Sequence, residues 1–563
     1  MNDQPNLRQF LDEVNSFADE PQGSSPAAAP SGKALPHIGK VLEIAGSGSQ
    51  ICIDPAELMK LQSHSDPAVQ MSGQVGSQVK VVVGANWLIA NVRTMKADDS
   101  GEVVAHVDFL GEGTRDATGK MSTFRRGVTR YPIPGAEVHP VTTEDLRAVF
   151  AASDEANVEI GTVYPTDDIR GALYVDPMLS KHFAVLGSTG TGKSTSVALI
   201  LHRISQLSPE GHILMIDPHG EYSAAFKGCG ELFNVDNLQL PYWLMNFEEH
   251  CEVMLTTHDA ERQRDADILA KCLLAARTKG KDMSQYGKVT VDSPIPYLLA
   301  DLSGIIVNEM GKLDRAGDTL PFQRLKTKLD ELRADPRYTF MFSGMLVSDS
   351  MPGLISKLFR LPSHGKPISI VDVSGVPSEV TSVVVSVLAR MVFDYAIWSR
   401  TEAQRPLLLV CEEAHRYVPK DENSENGQSV RRILERIAKE GRKYGVSLGL
   451  ITQRPSDLAE GVLSQCGTII SMRLNNDRDQ ACVRAAMPEG ARGFLDAIPA
   501  LRNRECIVCG EGVAIPIRVR FDDLEPEKRP ASSDPSFARL WRETGDEEGI
   551  IQRTIKRWRG HGR

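Results

Sequence analysis

Two hydrophobic rhythms divide the chain. Between about residues 35 and 145, short runs rich in β-branched residues (VLEIAG, SQICID, QVKVVVGANWLIANVRTM, EVVAHVDFL) are separated by glycine-bearing turns such as GSGS and GEG. Short strands with regular turn signals predict a small barrel or sandwich. From about residue 146 the rhythm changes. Short apolar runs alternate with stretches of helical spacing, the pattern of an α/β fold with a parallel sheet. Strands are predicted at Phe183–Leu186, Ile213–Ile216, Ile368–Val373, Leu407–Cys411, Ser447–Thr452 and Thr468–Arg473, with a short helix over Thr142–Phe150. Between about residues 248 and 361 the strand signal stops, and amphipathic sequences such as PFQRLKTKLDELRADP predict a helical insertion.

The two ends have a different character. Residues 1–34 contain PQGSSPAAAPSGK, which has little to bury and predicts an unfolded extension, with Leu7–Phe17 as one amphipathic turn or two. The predicted organisation is thus an extension at 1–34, a β-domain at 35–145, an α/β domain at 146–520 and a tail at 521–563. The tail ends in IIQRTIKRWRGHGR, which reads either as a solvated terminal helix or as a basic contact for a neighbouring subunit or nucleic acid. The basic segment Phe124–Arg130 is likewise either a solvated loop or a phosphate contact.

Composition narrows the class. The 563 residues carry a net charge of −10, which excludes a uniformly basic surface and leaves room for a local basic channel. No run of eighteen apolar residues occurs, which predicts no membrane span. The acidic, polar N-terminus lacks the features of a secretory signal. Nine scattered cysteines suit reduced thiols in a cytosol. Cys506 and Cys509 form a C-x-x-C without a second pair or a nearby histidine, so they read as part of a hairpin rather than as a metal site.

The candidate chemistry begins at His182–Val197, HFAVLGSTGTGKSTSV. An apolar strand, a loop fitting G-x-x-x-x-G-K-[ST] and a helix arrive in the order of a phosphate-binding P-loop. The residues at stake are Gly187, Ser188, Thr189, Gly190, Thr191, Gly192, Lys193, Ser194 and Thr195. Glycines let backbone amides curl around anionic oxygens, and the helix N-terminus adds positive potential. Lys193 is placed to reach the β- and γ-phosphates of ATP, and Ser194 to ligate Mg²⁺.

Three further stretches join it. LLLVCEEAH delivers Glu412 and Glu413 at a strand's C-terminal edge, where ligands bind in open α/β sheets. Glu412 is placed to hold the Mg²⁺ shell and Glu413 to orient and deprotonate a water. Val430, Ile433, Leu434, Ile437, Ala438, Gly441 and Tyr444 form one helical face, followed by a strand ending at Gln453, where a γ-phosphate sensor belongs. Arg442, just before that strand, is the candidate for an arginine reaching a neighbouring subunit's γ-phosphate, with Arg436 and Arg473 as runners-up. Finally, ILMIDPHGEY places Asp217 directly after a buried strand. Asp217-Pro-His-Gly220 fits D-x-x-G, but no N-K-x-D accompanies it, which counts against a GTPase.

GSTGTGKS, IDPHGEY, LLLVCEEAH, EGRKYGVSLGLITQRPS and IISMRLNN, in this order from about residue 36 to 520, resemble the HerA family of DNA-translocating ATPases within the HerA/FtsK group. The resemblance implies a P-loop NTPase core of RecA/ASCE type with a helical insertion, preceded by a small β-barrel. It implies catalysis by Lys193, Glu413, Gln453 and a trans-acting Arg442, with ATP and Mg²⁺ as cofactors. It further implies a homohexameric cytoplasmic ring that threads double-stranded DNA and works with a separately encoded nuclease or other effector enzyme, in DNA end processing or phage defence. Two other readings compete. One is a membrane-pore motor of the same fold, whose relatives usually carry N-terminal membrane helices that this chain lacks. The other is an ATP-stabilised ring scaffold that regulates an effector enzyme with little translocation.

Overall fold

The β-branched runs of the first domain pair into a closed barrel in the computed structural model. It describes residues 36–97, 102–116, 119–151, 155–166, 168–312, 316–343, 346, 348–421, 427–487, 491–531, 536–543, 545 and 547–559. The predicted extension at 1–34 and the turn at Leu7–Phe17 lie outside the described residues. Seven strands follow one another: β1 (Gly39–Ile44), β2 (Gly48–Ile53), β3 (Gln78–Val83), β4 (Asn86–Ala97), β5 (Val103–Arg115), β6 (Met121–Arg126) and β7 (Glu137–Pro140). Their order is β2-β1-β7-β3-β4-β5, and β5 returns to pair with β2, so six strands close on themselves. β6 hangs on β5 outside this closure. Sequence left barrel and sandwich open; the antiparallel β2–β5 ladder decides for the barrel. In β2, Ser49, Ile51 and Ile53 alternate inward with period two. Phe124, Arg125 and Arg126 of the basic segment belong to β6 rather than to a loop.

The helix Thr143–Phe150 closes this region. Thr142 and Asp145 form a capping box, so the acid that completes it is Asp145 rather than Glu144. The same carboxylate accepts from Lys80 Nζ on β3 at 2.6 Å, and both side chains are buried, which fastens the helix to the barrel.

The remaining strands make one sheet: β8 (Asn157–Val163), β9 (Arg170–Tyr174), β10 (Phe183–Leu186), β11 (Ile213–Asp217), β12 (Gly230–Phe233), β13 (Ile368–Asp372), β14 (Leu407–Cys411), β15 (Val446–Thr452), β16 (Thr468–Ser471), β17 (Glu505–Gly510) and β18 (Ile517–Phe521). The order is β12-β13-β11-β14-β15-β10-β16-β17-β18-β8-β9. From β12 to β16 neighbours are parallel; from β16 to β9 they are antiparallel. The central strands β10, β11, β14 and β15 are buried throughout, as continuous apolar runs in a covered parallel sheet should be. Gly449 allows β15 to pass against the ring of Phe183, where a Cβ would fall 2.6 Å from a ring carbon. This is a P-loop NTPase core: a glycine-rich loop follows a central parallel strand, and two strands, β14 and β15, stand between it and its chain neighbour β11.

Three strands, β8, β9 and β12, lacked a clear sequence signal. β12 is a half-exposed edge strand, so its pattern is weak. The β8–β9 hairpin, read only as a lead into the P-loop, extends the sheet by pairing with β18. The hairpin expected around Cys506 and Cys509 is β17–β18. Both thiols are buried, three positions apart and so on opposite faces of the strand.

Helix α1 (Lys193–Leu207) follows the P-loop, α2 (Ser378–Trp398) and α3 (Gln428–Glu440) pack together, and α4 (Glu547–Arg559) ends the described chain. By length and composition α2 could cross a bilayer, but 67% of its apolar window is buried inside the protein. Between β12 and β13 the helices Phe247–Met254, Asp259–Thr278, Leu299–Met310 and Ala316–Ala334 form the insertion. A buried ion pair ties it to α2: Arg390 Nη2 and Nε donate to Glu249 Oε2 and Oε1 at 2.9 and 3.1 Å, and Ser386 Oγ adds a bond of 2.8 Å. On α4, Ile550, Ile551, Ile555 and Trp558 are exposed; the last four residues of the basic tail lie outside the described residues.

Candidate functional site

Strand register brings the sequence-predicted residues to one edge. Leu186 pairs with Thr452, so Gly187 and Gln453 leave β10 and β15 side by side. Cys411 pairs with Leu450 and with Ile216, which sets Glu412 and Asp217 at the same C-terminal edge. In the P-loop, Gly190 and Gly192 adopt φ of +78° and +93°, a region that side chains rarely tolerate. Gly192 is the N-cap of α1, and no side chain caps that helix. Its first turn therefore has amide donors to offer an anion. Ser188 N donates to the carbonyl of Arg473 at 2.9 Å, anchoring the loop to the end of β16. Thr195 lies in the first turn of α1, half-buried.

Lys193 is 7% exposed, and its Nζ lies 3.8 Å from Glu412 and 3.7 Å from Glu413. One ammonium thus faces two buried carboxylates. Burial, opposed by Lys193 and aided by Glu413, pushes the Glu412 carboxyl up to about 7. Glu413 sits in left-handed backbone, φ 51°, and its Oε2 is buried without a hydrogen bond although His415 Nδ1 is 3.2 Å away. His415 Nδ1 bonds instead to Thr452 Oγ1 at 2.9 Å. An orphaned carboxylate oxygen beside an ammonium suits a bound water or cation. Gln453 accepts from Thr189 Oγ1, which places its amide on the P-loop itself.

The IDPHGEY stretch contributes differently from the sequence expectation. Asp217 is fully buried, and its carboxylate accepts from the amides of His219, Gly220 and Tyr222 at 3.1, 2.9 and 2.9 Å. It is the clamp of a turn. What the turn delivers is Tyr222, fully buried, whose hydroxyl donates to Glu412 Oε2 at 3.1 Å. The tyrosine therefore holds Glu412, one of the two residues read as Mg²⁺ ligands. No motif flags it, and the sequence alone assigns Tyr222 no role.

The three arginines separate. Arg473 lies beside its own P-loop, donating to Leu501 O and Asn503 Oδ1 at 3.3 and 2.9 Å. Arg436, on α3, bonds to Glu440 and stands 4.8 Å over the ring of Phe393. Arg442 is exposed in the turn Gly441–Tyr444, before β15. It and Gln453 stand at opposite ends of a seven-residue strand, roughly 20 Å apart. Arg442 is thus not brought to its own P-loop.

Among the described residues no group of three or more His, Cys, Asp or Glu stands ready as a protein-only metal centre. An NTPase site does not need one, since phosphate oxygens complete the shell of Mg²⁺. Loop glycines, an uncapped helix start, Lys193, Ser194, the Tyr222–Glu412 bond and the orphaned oxygen of Glu413 fit ATP with Mg²⁺, and the arrangement is that of a hydrolase of nucleoside triphosphates.

Comparison with known proteins agrees. Residues 158–392 match the family described as Helicase HerA, central domain. The chain is 26% identical over 518 residues to the DNA double-strand break repair helicase HerA of Pyrococcus furiosus, covering 85% of this chain and 89% of that protein. It is 25% identical to the protein of that name from Sulfolobus acidocaldarius, covering 76% and 80%. A solved structure of VirB4 from Thermoanaerobacter pseudethanolicus is 14% identical, covers 67% of this chain and 99% of that one, and superposes with a TM-score of 0.49. The HerA resemblance drawn from the motifs is borne out.

Proposed function

We propose, from a central domain that matches HerA over residues 158–392, that this protein is an ATP-driven motor that moves double-stranded DNA through a ring of its own copies. The observation that carries the reading is the convergence of Lys193, Glu412, Glu413 and Gln453 on one sheet edge, beside an uncapped helix start. In this reading Lys193 and the first turn of α1 hold the triphosphate, Ser194 and Glu412 hold Mg²⁺, and Gln453 senses the γ-phosphate. The magnesium ion supplies charge neutralisation at the phosphates. Glu413, held next to Lys193, orients a water and takes its proton on the carboxylate. In the same reading Gly187–Thr195 form the cradle of the phosphates.

Arg442 is exposed and remote from its own loop, which suits an arginine that serves the neighbouring subunit in a hexameric ring. The relatives named as DNA double-strand break repair helicases support DNA as the track and DNA end processing as a role. Phage defence, a cytoplasmic location and a nuclease or other effector enzyme as partner rest on the motif resemblance alone. With a net charge of −10, DNA contact falls to a local basic channel.

The test is ATP turnover by purified protein with and without linear duplex DNA, beside Lys193→Ala. DNA-stimulated turnover that falls steeply with salt and vanishes in the variant supports the motor. Turnover indifferent to DNA, alone and with the effector enzyme present, overturns it.

A further inference from the structure

Next to the P-loop lies a cavity of about 480 Å³ that the phosphate-binding residues do not use. It is within the usual size range of small-molecule sites. Phe521, Arg504, Asn503, Asp523, Arg520 and Thr162 line it. The loop that carries Arg504 is stitched to the phosphate cradle. Arg504 N donates to Thr191 O at 2.9 Å, and its Cγ packs where a side chain on Gly192 would fall, 3.1 Å away. The cavity therefore opens beside the last glycine of the P-loop.

Arg504 is held in an unusual state. Its φ is +66°, a left-handed conformation that costs a non-glycine residue energy. The surroundings over-determine it: Nη2 donates to Phe521 O at 2.9 Å, Phe521 N returns a bond to Arg504 O at 2.9 Å, and Nη1 pairs with Asp523. The result is a planar guanidinium fixed at the wall of the cavity. Among the lining residues two arginines, Arg504 and Arg520, stand with two aspartates, Asp522 and Asp523. Asp522 is further engaged by Arg170 at 3.0 Å and by Arg203 of α1 at 3.5 Å. Arg504 is engaged by Asp523 and Phe521 O, and Arg170 and Arg203 by Asp522, so these cations are already paired and do not select a free anion. The cavity suits a neutral, flat, polar group with hydroxyls: a guanidinium plane for stacking, and in Asp523, 76% exposed, a carboxylate with lone pairs to accept from a sugar.

We propose that this cavity receives the nucleoside, base and ribose, of the nucleotide whose triphosphate the P-loop holds, and that Arg504 sets the preference for a nucleotide over bare triphosphate. The proposal rests on the P-loop reading. The test is equilibrium binding, by calorimetry on the full chain with Mg²⁺, of ATP and of inorganic tripolyphosphate. Arg504→Gly removes the guanidinium and keeps the positive φ without strain. Thr162→Phe fills the cavity from its far wall on β8, away from the P-loop.

Either variant is expected to weaken ATP about tenfold while tripolyphosphate changes by less than about twofold. ATP and tripolyphosphate weakened alike in both variants would mean that these residues only prop the loop, and unchanged ATP affinity would mean that no nucleoside sits there; either result overturns the proposal. Lys193→Ala should weaken both ligands. Indifference of both to that change would remove the P-loop reading, and this inference with it.

Discussion

The hydroxyl of Tyr222 donates to Oε2 of Glu412 at 3.1 Å, so a buried phenol holds one of the two residues read as magnesium ligands. Tyr222→Phe keeps the ring in the core and removes only this link. Loss of a buried hydrogen bond to a charged partner is worth about 1.5–3 kcal/mol. ATP turnover is expected to fall by about ten- to a hundredfold, with a higher Mg²⁺ requirement and an unchanged melting temperature within a few degrees. Mg²⁺ titration of the steady-state rate checks it; an unaltered Mg²⁺ dependence would deny Tyr222 this role.

Glu413 has a different task from its neighbour. Its Oε2 is buried without a hydrogen bond, poised for a water rather than for the protein. Glu413→Gln should keep ATP affinity within a few-fold and reduce turnover by about 10²–10⁴, the range for a lost general base. Fluorescent-nucleotide binding beside the ATPase rate separates the two. Affinity and rate falling together would instead mark Glu413 as a binding residue.

Arg442 and Gln453 cap opposite ends of β15, so the arginine cannot serve the site its own strand builds. Arg442→Ala should bind ATP normally and turn over about 10³-fold more slowly, as for a missing arginine finger. Mixing Arg442→Ala with Lys193→Ala subunits should recover part of the rate, since mixed interfaces contain one intact set. No recovery would argue against a shared site.

Two buried histidines set a pH window. His250, between Arg277 and Arg390 and fully buried, is pushed by burial down to about 3. His182 is lowered in the same direction by burial; its Nδ1 accepts from Leu448 N at 3.0 Å and its Nε2 bonds to Ala438 O at 3.1 Å. Both are protonated more readily in the unfolded chain, whose histidines titrate near 6.5. Their stabilisation is complete above that pH and declines as pH falls, by up to about 1.4 kcal/mol per pH unit for each histidine. Urea midpoints should drop between pH 7.5 and 5.5, and His250→Gln should flatten that slope while lowering the stability at pH 7.5.

Much of the site was legible because its chemistry is local. The P-loop and the two carboxylates each follow an apolar run, and the four strands that deliver them carry four or more buried residues in a row. Gln453 was legible for the same reason. Tyr222 was not, since its hydroxyl meets a partner 190 positions away. Arg504 was not, because a strained backbone angle has no signature in the letters around it. Asp217 was visible as a residue at the right edge, but whether a carboxylate points into a site or folds back onto its own turn is decided by the three amides that follow. The barrel's closure was equally hidden: β2 and β5 read as two ordinary strands, and only their mutual pairing turns a sheet into a ring.

The pairing of β8 with β18 also governs how the molecule is made. Val163 and Val519 share a ladder, and Arg170 reaches Asp522 across 352 positions. A ribosome emitting some 5–20 residues each second leaves the early hairpin without its partner strand for roughly 20–70 seconds. During that interval the barrel, whose strands all lie within the first 140 residues, can form on its own, while β8 and β9 wait with an open edge. The last of these strands to emerge is the one that joins the β8–β9 hairpin to the rest of the sheet, so the sheet stays in two pieces until Phe521 has been made.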